Sequence, residues 1–275
     1  MLRGSLAALL AAVVMLPAAA LAAGCFPIAQ SAARLVPASL APAALPGDAT
    51  ARLTFLGHAS FLIETRGGVS AVTDYNGYNT APVTPDIVTM NNAHSTHFTD
   101  QIEPGVTHVL RGWVPGGGLA EHDVVMDDLR VRNVPTSVRG REGARTNSNS
   151  IFVFEVEDLC IAHLGHLHHR LEDYHLGEMG IIDVLLVPVD GMWTLPHAAA
   201  ADVIDQVRPS LVVPMHYFGR SVLERFLAEL SEEWEVVVSE TPSVTLARDT
   251  LPFRQVLVLP VLMTDGVILL HRQIF

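Results

Sequence analysis

The chain has 275 residues, 49% of them hydrophobic and 17% charged, with a formal net charge of −12. That apolar content supports a sizeable buried core, in one large domain or two small ones. The acidic balance excludes a nucleic-acid partner and peripheral docking on anionic lipid, both of which need a basic face. Every basic residue is Arg, so Schiff-base lysine and P-loop lysine chemistry are excluded as well.

Residues 1–24 read as a signal peptide. Arg3 precedes an apolar stretch from Leu6 to Leu16, Pro17 breaks it, and Ala20-Leu21-Ala22 offers an A-x-A cleavage site. "LAAGC" ending at Cys25 permits a second reading, a lipobox with a lipid on Cys25. The expected location is therefore exported, periplasmic or secreted, with a membrane-anchored lipoprotein as the alternative and that lipid as the one membrane contact. Residues 25–50 are Ala/Pro-rich and read as a linker. Cys25 and Cys160 are the only cysteines and form no C-x-x-C pair. A disulfide framework is not indicated, and Cys160 reads as a small core residue.

From Arg52 the pattern becomes strand-like. "ARLTFLGHASFLIET" and "GVSAVTDYN" are apolar runs parted by "RGG", which predicts a hairpin. "DIVTM" and "THVLRGW" are short strands, "DDLRVRNVPTSV" alternates as a strand with one wet face, and "RGREGARTNSN" reads as a polar loop. "SIFVFEVEDLCIAHLG" predicts a hairpin turning at Glu157-Asp158. "IIDVLLVPVDG" and "SLVVPMHYF" are runs of the kind buried on both faces. "LPHAAAADVIDQVRP" and "SVLERFLAELSEEW" predict helices, and "EVVVSE" and "VLVLP" are closing strands. Residues 261–275 form an apolar tail without an assignable structure.

Three histidine groups follow apolar strands directly: His94 and His97 after "DIVTM", His163 and His166 after "DLCIA", and His216 after "LVVPM". Each segment offers too few ligands alone, so strand ends that converge would hold a metal together. Imidazole suits Zn, Mn, Fe or Ni. Cys160 and His163 point to opposite faces of their strand, which leaves His163 free to face the site.

In this order, "LGHASFLIET", "VTDYN", "NAHSTH", "AHLGHLHH", "DVLLVPVDG" and "VVPMHY" resemble the metallo-β-lactamase superfamily over residues 51–260. The nearest branch looks like the ascorbate-6-phosphate-lactonase-like hydrolases. The resemblance implies an αββα sandwich of two mixed β-sheets flanked by helices, with a metal site at one edge. His94 and His97 match the middle and last histidines of H-x-H-x-D-H, His163 the histidine of the later HLGD element, and His216 the C-terminal ligand. His58 and Asp74 match positions beside the metal and are the expected catalytic residues. His58 would donate to an oxyanion, and Asp74 would handle a proton or orient a ligand. Asn149 matches a position facing the substrate.

Three departures stand out. Asn92 fills the first histidine slot, where its amide oxygen is the remaining ligand; Thr96 replaces the aspartate; His166 replaces the aspartate that bridges two metals. The resemblance implies a divalent ion, Zn foremost with Mn or Fe as alternatives, in one or two copies. It implies hydrolysis of a small-molecule ester, lactone, amide or phosphodiester by metal-activated water. The altered motif keeps two alternatives open: a non-catalytic metal- or small-molecule-binding protein, and a metal-dependent redox enzyme. The sequence leaves the oligomeric state open.

Overall fold

The computed structural model describes residues 25, 45, 47–140 and 143–262. The signal segment, most of the linker and the tail from residue 263 lie outside the described residues. Strands β1 (Ala51–Gly57), β2 (Ser60–Thr65), β3 (Ser70–Val72), β4 (Ile87–Met90) and β5 (His108–Arg111) begin the first sheet. The second holds β6 (Asp123–Met126), β7 (Leu129–Gly140), β8 (Gly143–Val156), β9 (Leu159–His163), β10 (Val184–Pro188) and β11 (Leu211–Met215), then β12 (Glu235–Val238) and β14 (Gln255–Val258). β13 (Ser243–Leu246) returns to the first sheet, giving the order β13-β1-β2-β3-β4-β5 against β12-β14-β11-β10-β9-β8-β7-β6. Both sheets mix parallel and antiparallel pairs.

The two sheets face each other across a core that includes Leu53, Phe61, Ile63, Phe152, Phe154, Leu186 and Val213. The helices α1 (Asp173–Met179), α2 (His197–Val207) and α3 (Arg220–Leu227) cover the outer face of the second sheet, where Ala200, Val203, Ile204 and Phe226 pack on Val187 and Val212. Among the described residues the outer face of the first sheet is covered by irregular segments. Tyr75, Phe98, Ile102 and Trp113 lie on Leu62, Val72, Val88 and Met90 there. No helix among them is long and apolar enough to cross a membrane.

Two predicted elements need correction. "ARLTFLGHASFLIET" is not one strand but two, reversing at His58-Ala59. "RGREGARTNSN" is not a loop, because the β7–β8 ladder runs out to Gly140↔Gly143. Residues 143–146 are exposed there, so they carry no apolar alternation to mark them.

The cysteines also differ from the sequence reading. Cys25 is bonded to Cys160 with Cα atoms 5.8 Å apart. Cys25 is buried, and its carbonyl accepts a hydrogen bond from the Ile181 N–H. The start of the predicted linker is thus part of the core, and a thiol bonded to Cys160 is not free to carry a lipid.

Candidate metal centre

The site lies where the ends of both sheets meet. The β1–β2 turn carries His58, the segment after β3 carries Asp74, and the segment after β4 carries His97. The second sheet contributes His166 after β9, Asp190 after β10 and His216 after β11. A backbone hydrogen bond from His216 N–H to the His58 carbonyl, 2.7 Å, ties the two sheets at this point. His58, Asp74 and His216 all have left-handed backbone, with φ of 53°, 43° and 57°. Non-glycine residues are held there only when the surroundings over-determine them, and such residues gather at functional sites.

His97 is fully buried, and its Nδ1 lies 2.6 Å from Asp74 Oδ2. The other Asp74 oxygen accepts the Asn91 N–H at 3.0 Å. Burial raises the Asp74 carboxyl to about 6 against the pull of His163 and the Asn91 N–H. It is thus ionised at neutral pH and takes the Nδ1–H of His97. The Nε2 of His97 then presents a lone pair. His216 also has a carboxylate beside its Nδ1, with Asp190 Oδ2 at 3.0 Å, an approach outside hydrogen-bond geometry that leaves this buried nitrogen unpaired. Asp190 is held firmly. Its Oδ1 accepts backbone N–H groups of Met192 (2.8 Å), Trp193 and Thr194 (3.1 Å), and Oδ2 accepts the Thr194 hydroxyl. Burial would raise Asp190, but the neighbouring His216 imidazole and the hydrogen bonds from Thr194 and Met192 outweigh it and hold the carboxyl well below the usual range.

The consequence is electrostatic. His97 Nε2 and His216 Nε2 face each other at 3.2 Å. With its Nδ1 proton given to Asp74, His97 Nε2 has no proton to offer, and the carboxylate beside His216 Nδ1 favours the same tautomer there. Two facing lone pairs favour a cation between them, beside the His166 Nδ1 that can also donate to His97 Nε2 at 2.9 Å. Tetrahedral ligands at about 2.0–2.1 Å from one ion stand about 3.3 Å apart, close to the observed separation. His58 completes the set, since ligand atoms of His58, His97 and His216 all lie within 4.8 Å of one another. His58 Nε2 is buried without a hydrogen-bond partner. Burial, then His216 and His97, lower His58 to about 3, so it is uncharged at neutral pH. His166 adjoins the group, with its Nδ1 2.9 Å from His97 Nε2. Burial and then His97 lower it to about 2.

The remaining sequence-predicted residues fall elsewhere. His163 is not a ligand here. Its Nε2 bonds the Ala59 carbonyl at 2.7 Å and its Nδ1 accepts the Gly165 N–H at 3.1 Å, which leaves no lone pair free. It does face inward, opposite Cys160 as expected, and instead fixes the β1–β2 turn that carries His58. Gly165 permits this contact, since a Cβ there would lie 2.5 Å from Asn91. His94 is exposed at the rim, its Nδ1 3.0 Å from the Thr96 hydroxyl and its ring stacked 5.7 Å from His166. It caps the turn whose His97 N–H bonds the His94 carbonyl and stands outside the three-histidine group. Asn92 donates its amide to the Ser148 carbonyl at 2.6 Å and is a structural bridge rather than a ligand. Asn149 is fully buried. Its amide donates to Thr136 Oγ1 at 2.7 Å, and its Oδ1 accepts the His166 N–H at 2.8 Å, so it positions His166.

Sequence reasoning placed His58 as a hydrogen-bond donor to an oxyanion and passed over Asp190. The available signal for Asp190 was "VPVDG", a carboxylate at the end of a twice-buried strand followed by Gly191, where a Cβ would meet His197 at 2.4 Å.

Two face-to-face mixed sheets with a histidine-rich site on their shared edge define a metallo-β-lactamase-type fold. Residues 52–216 match the model of the β-lactamase superfamily domain, and the chain belongs to that superfamily. A UPF0173 protein of Pyrococcus abyssi is 26% identical over 207 residues, covering 70% of this chain and 97% of that relative. A UPF0173 metal-dependent hydrolase of Archaeoglobus fulgidus is 24% identical, covering 63% and 86%. Among solved structures, a candidate Zn-dependent hydrolase of the metallo-β-lactamase superfamily from Thermotoga maritima is 29% identical. It covers 77% of this chain and 100% of its own, with a TM-score of 0.58. These similarities define the superfamily and do not reach the ascorbate-6-phosphate-lactonase-like branch.

Proposed function

We propose that this chain is a metal-dependent hydrolase whose divalent cation is held by His58, His97 and His216. The observation that carries the reading is the pair of carboxylate-backed Nε2 lone pairs 3.2 Å apart. The relatives named as metal-dependent hydrolases support it. A cation bound there would supply Lewis acidity and a water acidified toward neutral pH.

The chain's own residues set the conditions for that chemistry. Asp74 and Asp190 fix the tautomers of His97 and His216. Burial keeps His58, His97 and His166 uncharged. The two carboxylates together match the charge of one divalent ion, so the reading is one ion per chain, Zn foremost, with Mn or Fe as alternatives. His166 lies beside His97 and is the neutral hydrogen-bonding group nearest the ligand set. The substrate is a small ester, lactone, amide or phosphodiester.

Export is part of the same reading. A buried disulfide belongs to a chain that matures in an oxidising compartment, and residues 1–24 have the form of a signal peptide. The test is elemental analysis of the purified protein, with turnover measured on 4-nitrophenyl esters, lactones and bis-4-nitrophenyl phosphate. We expect about one divalent ion per chain and hydrolysis abolished in His97→Ala and His216→Ala. A protein without metal after growth in supplemented medium, with turnover unchanged in both variants, overturns the reading.

A further inference from the structure

We infer that this site takes a substrate with an apolar acyl or aryl group beside the scissile bond, seated on Phe218, Trp193 and Met192. The inference rests on the hydrolase reading for the reaction, while recognition rests on different residues. Phe218 is 64% exposed, Trp193 66% and Met192 75%. Scattered apolar side chains on a surface are ordinary. These three are not scattered, because they lie on the two turns that carry His216 and Asp190. The Phe218 ring centroid is 5.7 Å from that of His58 and 6.0 Å from that of His216. Its face therefore borders the ligand set directly.

The Met192-Trp193 turn is rigid. Both backbone N–H groups bond Asp190 Oδ1, and Arg139 Nη2 bonds the carbonyls of Thr194 (2.6 Å) and Met192 (3.3 Å). A rigid turn that holds a tryptophan and a methionine in water has nothing to bury them against in the free chain, and a bound apolar group supplies that surface.

The polar groups around the mouth argue in the same direction. Arg139 reaches this turn with its guanidinium committed to those carbonyls and to His168 Nδ1, 3.4 Å away, and so is not presented to an anion. The chain carries a net charge of −12. An aryl or alkyl chain finds three exposed apolar side chains on the two turns beside the site.

The test uses 4-nitrophenyl alkyl ethers, which cannot be hydrolysed, titrated against the tryptophan fluorescence of the metal-loaded full chain. The nitrophenyl group quenches Trp193 on binding. We expect the octyl ether to bind at least tenfold more tightly than the methyl ether, and Phe218→Ser to reduce that ratio below threefold. A parallel comparison of 4-nitrophenyl octanoate with the acetate should show the same preference in kcat/KM, again collapsed in Phe218→Ser. Equal binding of the two ethers overturns the inference, and so does sedimentation showing that the wild-type chain dimerises through this face while Phe218→Ser is monomeric. Hydrolysis without chain-length preference refutes the apolar seat and leaves the hydrolase reading intact. A chain-length preference in binding without any hydrolysis supports the seat and refutes the hydrolase reading.

Discussion

Replacing Asp190 by Asn changes one atom in the site and tests the tautomer argument directly. The Asn side chain keeps an oxygen for the backbone N–H groups of Met192, Trp193 and Thr194, so the turn survives. The atom that faces His216 Nδ1 at 3.0 Å becomes an N–H donor. Two donors cannot share that contact, and the imidazole responds by moving its proton to Nε2, where the ligand lone pair was. Loss of such a supporting partner weakens metal binding by about 10- to 100-fold, or about 1.4–2.7 kcal/mol. Folding stability without metal should also fall as the Asp190–His216 contact is lost. The two effects separate experimentally. Competition with a chromophoric chelator gives the Zn affinity, urea unfolding of the metal-free protein gives the stability, and imidazole nitrogen NMR reads the protonated nitrogen of His216. Wild-type Zn affinity together with an unchanged Nε2 lone pair in Asp190→Asn would refute the reasoning, whatever happened to stability.

Three further outcomes follow from the same geometry. His163→Ala should retain the metal that His97→Ala and His216→Ala lose, while costing about 3 kcal/mol through a buried cavity and two unpaired backbone groups; metal loss in His163→Ala on elemental analysis would return His163 to the ligand set. The metal-free protein should weaken as pH falls below about 6.5. His58 and His166 are lowered to about 3 and about 2, so unfolding takes up protons between those values and 6.5. Their contribution is complete above pH 6.5 and is lost on acidification. Asp74, raised to about 6, opposes this by one proton between about 4 and 6. His97 and His168 are lowered as well, so the net uptake is at least one proton, or at least about 1.4 kcal/mol per pH unit, and urea midpoints that stay flat or rise from pH 6.5 to 5 would contradict it. Finally, Cys25→Ser should destabilise the chain by about 2–5 kcal/mol, since the bond closes a span of 135 residues. Intact mass of the mature wild-type protein should show two fewer hydrogens than the reduced form, and an acyl mass on Cys25 would refute the pairing.

Much of the frame was legible in the sequence because burial on both faces leaves an unbroken apolar record. "DVLLVP" and "LVVPM" are β10 and β11, paired in parallel at the centre of the larger sheet. The hairpin at Glu157-Asp158 and α2 were equally plain. The reversal at His58 was hidden because both strands it joins are buried, so the apolar run does not pause. Its markers are conformational, a positive φ at Gly57 followed by one at His58. The distal β7–β8 ladder was hidden for the opposite reason, since exposed pairing leaves no apolar trace. In the site, His97, His166 and His216 were read correctly as neighbours. His163 was misread because strand alternation decides which face a side chain takes and says nothing of what already occupies that face. Here the Ala59 carbonyl does. The disulfide was invisible because its partners are 135 residues apart and one sits in a segment without periodicity.

The placement of strain connects the fold to the site. Of the eight non-glycine residues in left-handed backbone among the described residues, three (His58, Asp74 and His216) belong to the candidate metal centre, at a cost of about 1–3 kcal/mol each. Straightening any one of them would move its ring or carboxylate off the common point. His58 is constrained from both sheets. The His216 N–H holds its carbonyl, and its neighbour's carbonyl, at Ala59, takes the His163 ring. His163 therefore serves the centre without touching it, by preventing the turn from relaxing. A cation that binds only the folded chain adds stability in proportion to the logarithm of its concentration over Kd. The strained geometry is thus most secure when loaded, and the metal-free form should open first at this edge, where the β1–β2 turn meets the ends of β9 and β11.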